Sequence, residues 1–310
     1  MLKANIAGHR KFWFSLSSLI IIAGFICMFV RGFNFGIDFT GGTIIDLKFE
    51  KPVTIAEVRE SLAKYDLDGA TIQLSGDASD VASSEDVMIR TADLEEQDRK
   101  AVMAGLKEDV GDYNVLREEK VGATVGGDLI TNAVLALVVS WALIIAYVAY
   151  RFEFKFGIAA VLALIHDLLI TLAVFSFTQR QIDSSFIAAL LTIVGYSIND
   201  TIVIFDRIRE NLKLHFRRGG DVVQLVNRSI YQTLTRSLYT VFTVLFTTAA
   251  LYFFGGETTK DFAFALLIGF SVGCYSSIFI ASPLWMTFRE WTENRHKAKL
   301  AAAKTNKGER

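Results

Sequence analysis

The amino-acid sequence predicts an α-helical membrane protein with six transmembrane helices and one extracytoplasmic ferredoxin-like α+β domain of order βαββαβ. Three observations predict it. Apolar residues gather into six blocks, near 12–30, 129–150, 156–178, 185–205, 237–254 and 262–286, each close to the roughly 20 residues that cross a hydrocarbon core about 30 Å thick. A polar, acidic stretch separates the first block from the second. Among the short connections, Lys and Arg crowd into alternate ones.

Composition supports the membrane reading. The 310 residues are 52% hydrophobic, with 25 Phe and two Pro, too apolar for an ordinary soluble domain. The net charge of −1 hides a strong segregation. Basic residues mark the N-terminus (Lys3, Arg10, Lys11), the connection after the second block (Arg151, Lys155), the segment 206–236 and the C-terminal tail. On the opposite side, the connections between the third and fourth and between the fifth and sixth blocks offer only Arg180 and Lys260. Under the positive-inside rule both termini are cytoplasmic and the six spans alternate. The first block is longer than a signal-peptide core and has no small-x-small site before Gly36, so it reads as an uncleaved anchor. Cys27 and Cys274 both lie in spans and form no disulfide framework, and no Cys or His has metal-ligand spacing.

The expected organisation follows in chain order. Residues 1–31 are a cytoplasmic N-terminus and first span. Residues 32–127 are the extracytoplasmic domain, 128–290 a five-helix bundle with a cytoplasmic hairpin at 206–236, and 291–310 a basic tail expected to be disordered. Within the domain, strands are expected at 43–50, 70–74, 87–91 and 113–121, and helices at 54–65 and 94–109. Thr54 with Glu57 three residues later is a capping box, and TIIDLKFE alternates as a half-buried strand does. That order is the ferredoxin-like arrangement. Residues 43–125 hold 19 Asp and Glu against 10 Lys and Arg, a solvated acidic surface.

Residues 32–43, GFNFGIDFTGGT, join the first span to this domain. Gly36, Gly41 and Gly42 offer positive-φ freedom, and Phe33, Phe35, Ile37 and Phe39 alternate as an apolar edge. The stretch reads as an irregular linker. No Lys-Ser/Thr follows the Gly pair and no helix opens on it, which excludes a phosphate loop.

The fourth span carries the strongest signal, VGYSINDTIVIFDRIREN at 194–211. Asn199 and Asp200 lie inside an apolar run, and Asp206-Arg207 marks its exit to water. Asp200 is therefore about two turns deep. An ionised carboxylate there costs about 2.5–3.5 kcal/mol even on the gentlest scale. It needs a partner, a water-filled cavity or a protonation event; the alternative is a hydrogen-bonded strut between helices. The third span has His166-Asp167 at comparable depth. Asp167 reads equally as a second proton-path residue or a helix-to-helix hydrogen bond, and His166 as polar packing. The hairpin continues the fourth helix through IRENLKLHF, breaks at Gly219-Gly220, and resumes with Asp221 as N-cap. The following helix has an apolar face (Val222, Val223, Leu225, Val226, Ile230) suited to the bilayer surface. It ends at Arg236, which either snorkels or reaches inward as a counter-charge. Gly269 and Gly273 in the sixth span form a GxxxG packing element, with Ser271, Ser276 and Ser277 nearby.

FGIDFTGGT (35–43), HD (166–167), the block 194–211 and TLTRS (233–237) together resemble the SecF family of protein-export membrane subunits, related to resistance-nodulation-division transporters. The resemblance runs from about residue 12 to residue 290. It implies a subunit that pairs with a SecD-like protein and acts with the SecYEG channel, and with YajC- or YidC-type accessory proteins. The pair uses the proton-motive force to promote late export of unfolded polypeptide from the plasma (inner) membrane. It implies no enzyme activity, cofactor or nucleic acid; lipids surround the spans. By motif, Asp200 matches the family's proton-coupling Asp, with Asn199 beside it and Asp167 as a second candidate. Arg236 matches the essential Arg of the next span. Asp38, Gly41 and Gly42 match the Gly-rich element, and Gly195, Asp206 and Arg207 belong to the fourth-span motif. Two rival readings are a non-transporting scaffold of the translocon and a small-molecule or lipid exporter of the same superfamily.

Overall fold

The computed structural model describes residues 5–67, 69–75, 83–215 and 221–308. The chain divides into two compact units, Met1–Asn34 with Leu135–Arg310, and Phe35–Val134. In chain order the elements are α1 (Arg10–Arg31), β1 (Asn34–Phe35), α2 (Ile37–Thr40), β2 (Gly42–Val53), α3 (Ile55–Ala63), β3 (Thr71–Ser75), β4 (Ser84–Thr91), α4 (Glu96–Asp109) and β5 (Tyr113–Val121). There follow α5 (Ala123–Arg151), α6 (Phe154–Thr178), β6 (Gln181–Ile182), α7 (Ser184–His215), α8 (Val222–Phe254), α9 (Glu257–Ser276), a π-helical turn (Ser277–Ala281) and α10 (Ser282–Gly308).

In the unit Phe35–Val134, β2, α3, β3, β4, α4 and β5 realise the βαββαβ order. The antiparallel sheet runs β3-β4-β2-β5. β2 alternates as its sequence predicts: Ile45, Leu47 and Phe49 are buried, while Lys48 and Glu50 are exposed. Ile45 faces Ile89 and Leu47 faces Val87 across β4. Val58 and Leu62 from α3 and Val102 and Leu106 from α4 close one core over that face. The capping box forms: Glu57 N donates to Thr54 Oγ1 at 3.3 Å, and Thr54 N donates to Glu57 Oε2 at 2.8 Å. The expected loop after β3 falls mainly on residues 76–82, outside the described residues.

The Gly-rich stretch is more ordered than its composition suggests. A one-turn helix, α2, opens where an irregular linker was expected. Phe39 N and Thr40 N donate to Gly36 O, and Gly41 N to Ile37 O. Gly36 sits at φ −73° and uses no glycine freedom, whereas Gly41 (φ 71°) and Gly42 (φ 130°) need it. A Cβ on Gly42 would collide with the carbonyl of Thr91, so this Gly lets β2 start beside the end of β4.

Among the described residues six helices are long and apolar enough to cross a membrane, when the helix interrupted by the π turn is counted once. α6 is the most enclosed of them. Three expectations are corrected here. α8 does not end at Arg236: it runs unbroken from Val222 to Phe254, since no Gly, Pro or capping residue interrupts it. Asp221 caps it as expected, accepting from Val223 N at 2.8 Å. Its early apolar face does not lie on a bilayer, because Leu225, Val226 and Ile230 are buried with Ile6, Ala7 and Ile208 in the main core. Ala7 N also donates to Asn227 Oδ1 at 2.9 Å. The tail expected to be disordered is helical to Gly308, consistent with its Ala, Lys, Leu and Glu content. The expected break at Gly219-Gly220 lies outside the described residues.

Two measurements test the domain. In urea melts of the excised segment 35–122, Leu47→Ala should cost about 2–5 kcal/mol, the range for a fully buried Leu. Val115→Ala, 47% exposed on edge strand β5, should stay within about 0.5 kcal/mol. The second concerns pH. The backbone N–H and hydroxyl of Thr54 hold the Glu57 carboxyl below its ordinary range. A depressed carboxyl contributes stability above its unfolded pKa and loses it as pH falls through the folded one. The Thr54 amide resonance should therefore titrate below the ordinary Glu value, and a normal midpoint would show that the cap is not formed.

Candidate functional site

The bundle buries two carboxylates, Asp167 on α6 (0% exposed) and Asp200 on α7 (8% exposed). α6 places the first by burying nearly every turn, with small residues (Gly157, Ala159, Ala160, Ala163) where neighbours come close. Gly24 of α1 lies against Ala173 with no room for a Cβ between them. α9 crosses α7 through the GxxxG element: a Cβ on Gly269 would overlap Ile193, and one on Gly273 would sit 3.1 Å from Ser197. This close crossing carries Ser197 and Ser276 to the same carboxylate.

Asp167 is fully partnered. Ser197 Oγ donates to its Oδ2 at 2.7 Å and Ser276 Oγ at 2.9 Å. His166 Nδ1 lies 3.0 Å from Oδ1. With the carboxylate as acceptor, Nδ1 carries the proton and Nε2 accepts from Ser17 Oγ, 3.0 Å away. Ser17 in turn lies 3.1 Å from the Tyr275 hydroxyl. One network thus ties α1, α6, α7 and α9. Adjacent residues on a helix point about 100° apart, yet His166 and Asp167 meet here. The hydrogen bond to His166 and those to Ser197 and Ser276 correspond to the packing alternative among the readings of this pair.

Asp200, three residues beyond Ser197 and so about one turn along α7, is held differently. Ser237 Oγ of α8 donates to Oδ1 at 2.5 Å. Oδ2 is buried with no hydrogen-bond partner among the described residues. Arg236, the residue before Ser237, is exposed, yet close enough for its charge to act on the carboxylate. The next α7 residue, Thr201, pairs with Ser277 at 2.8 Å. Ser277 opens the π-helical turn.

The other expected site residues scatter. Asn199 and Gly195 are exposed, four residues apart on a face of α7 turned away from the network. The structure therefore separates Asn199 from the Asp200 site, because one step along a helix rotates the side chain out of the bundle. Asp206 pairs with Arg209 at 2.9 Å and Arg207 with Glu210 at 2.8 Å, both on the helix surface. Asp38 sits in the first turn of α2, ahead of Gly41 and Gly42. Sequence reading missed Ser17, Ser197, Ser237 and Tyr275. It took Ser276 and Ser277 only as small packing residues. Their one signal was a hydroxyl within an apolar run, which many spans carry without consequence. Among the described residues no group of three or more His, Cys, Asp or Glu side chains is arranged to hold a metal.

Comparisons with known proteins agree on one family. Residues 101–291 match the family described as protein export membrane protein SecD/SecF, C-terminal, and residues 28–53 match the SecD/SecF GG motif. The protein translocase subunit SecF of Acidaminococcus fermentans is 51% identical over 290 residues, covering 94% of this chain and 99% of the relative. SecF of Desulfurispirillum indicum is 40% identical over 299 residues, covering 94% and 93%. The crystal structure of SecDF, a translocon-associated membrane protein from Thermus thermophilus, superposes with a TM-score of 0.83 at 38% identity. That match takes in 93% of this chain and 39% of the SecDF chain. A SecDF crystal structure in a super-membrane-facing form gives a TM-score of 0.70, with 98% of this chain and 40% of that one covered. The chain is a multi-pass membrane protein and belongs to the SecD/SecF family of protein-export membrane proteins.

Proposed function

We propose that the chain is an auxiliary subunit of the bacterial Sec protein translocase that couples proton movement to late polypeptide export through Asp200. The observation that carries this reading is the half-satisfied carboxylate. Asp200 is buried among apolar spans, one oxygen bonded to Ser237 and the other without a partner among the described residues, with Arg236 near. A carboxylate so placed is costly when ionised and suited to changing its charge. Its bond to Ser237 joins α7 to α8, so a change of charge alters that contact. One charge crossing the membrane potential releases about 2.3 kcal/mol per 100 mV, enough to bias a helix pair between two positions.

The names of the relatives support the translocase assignment, and SecDF supports a SecD-like partner, since this chain spans 39% of that protein. SecYEG, with YajC- or YidC-type accessory proteins, would supply the channel, and an unfolded polypeptide the cargo. The role is that of a translocase subunit and not of a catalyst. The segregation of Lys and Arg supports a plasma-membrane topology with both termini cytoplasmic.

Two tests bear on this. If Asp200 only glues α7 to α8, Asn keeps an acceptor and Asp200→Asn is tolerated. If it carries protons, Asp200→Asn leaves expression and partner binding intact but abolishes proton-gradient-dependent export in proteoliposomes containing the partner and channel. Arg236→Ala should resemble it, and Asp200→Glu should keep part of the activity. Equal gradient stimulation of wild type and Asp200→Asn would refute coupling. For topology, Cys at Lys100 or Lys213, in a background lacking Cys27 and Cys274, should react with an impermeant reagent from opposite sides. Reaction from one side would remove the alternating six-span arrangement.

A further inference from the structure

A cleft of about 340 Å³ opens where α5, α7 and α8 pass from apolar to charged sequence, lined by Arg151, Arg207 and Arg236 among others. Asp206 and Glu210 line it too, but both are engaged, by Arg209 at 2.9 Å and Arg207 at 2.8 Å. Among the described residues no acidic side chain is in ion-pair contact with Arg151 or Arg236. Two guanidinium groups without an ion-pair contact among the described residues therefore border one cleft. Arg209 also fixes the corner that presents Arg151: it donates to the Arg151 carbonyl at 2.8 Å and stacks 4.7 Å from the Phe152 ring.

We propose that this cleft binds the phosphate of an anionic phospholipid, held by Arg151 and Arg236. Guanidinium groups suit phosphate oxygens because their planar forks make paired, charge-assisted hydrogen bonds. Basic pockets between helices at the headgroup level are a recognised way of holding anionic lipids. Three features favour a lipid over a soluble phosphate. Beside Gln232 and Thr233, the wall includes an apolar strip of Phe152, Ile202 and Val203. Tyr147 and Tyr150, 58% and 91% exposed, stand one turn or less before Arg151, as aromatic side chains do at a membrane interface. Leu143 and Val139, spaced i−4 from Tyr147 and so on the Arg151 face of α5, are exposed too, an apolar track for acyl chains. Arg236 is shared with the role given to Asp200, whereas Arg151 has no part in it, so the test is made on Arg151.

The test is native mass spectrometry of the full chain released from detergent micelles, with titrations of phosphatidylglycerol, phosphatidylcholine and inorganic phosphate. Phosphatidylglycerol should bind as one tight adduct and the other two more weakly. Arg151→Ala should weaken that adduct by about tenfold or more, the scale of one lost hydrogen bond between charged groups. Arg151→Lys, which keeps the charge without the fork, should weaken it less. Lys213→Ala, further along α7 and outside the cleft, should leave it unchanged. Thermal melts without added lipid should coincide for all four proteins, so that a lost adduct is not lost fold. Equal phosphatidylglycerol binding by wild type and both Arg151 variants would overturn the proposal. So would phosphatidylcholine or inorganic phosphate binding as tightly, or an adduct displaced whenever a SecD-like protein is added, which would assign the cleft to a protein partner.

Discussion

A carboxylate inside a bilayer has to be neutralised or surrounded, and this bundle treats its two in opposite ways. Asp167 accepts from two serines and lies against His166, so both of its oxygens are engaged. Asp200, about one turn beyond Ser197 on α7, has one bonded oxygen and one without a partner among the described residues. Removing a partner from a fully satisfied buried group costs the whole desolvation of that group, about 1–3 kcal/mol and more if it is charged. Asp167 is accordingly fixed in place and fastens helices together. Asp200 has less to lose by changing state, and its one hydrogen bond among the described residues is to a different helix. The contrast supports the proposal that Asp167 serves assembly and Asp200 movement.

The packing follows from that division. Gly269 and Gly273 let α9 approach α7 closely enough for Ser276 and Ser197 to share one carboxylate oxygen. Close approach of backbones, and not hydrophobic burial, is the main attraction open to helices surrounded by lipid. The His166–Ser17–Tyr275 chain brings α1 into the same cluster. α8 is joined to Asp200 and not to Asp167. A charge change at Asp200 can therefore alter the α7–α8 contact while the α1–α6–α7–α9 network stays closed.

Much of this was legible in the sequence, for definite physical reasons. Six spans stand out because 20 apolar residues have few other uses. The βαββαβ order stands out because Thr54 and Glu57 mark a helix start and β2 alternates. Asp200 stands out because a charge in an apolar run is expensive. Its neighbours do not stand out. Ser237 and Ser276 are ordinary residues in ordinary spans, and only non-local helix crossings give them partners. Asn199 misleads because chain adjacency to Asp200 means a different helix face. Arg236 suggests a boundary, but a helix with no breaker runs through it, and the same charge then serves both the edge of the Asp200 site and the cleft beside Arg151. The apolar face of early α8 is correctly amphipathic, yet what covers it, Ile6 and Ala7, lies more than 200 residues away in sequence.

If Asp200 couples proton movement to export, it changes its protonation state while the bundle stays folded. Infrared difference spectroscopy of the chain in lipid, with its SecD-like partner, reads this directly through the C=O stretch of a protonated carboxyl group. Over a pH series the wild type should show a carboxyl band that appears and disappears, with amide bands unchanged, and Asp200→Asn should lack that band. Difference spectra that are identical in the two proteins across the whole series would contradict the account and leave Asp200 as a fixed strut between α7 and α8.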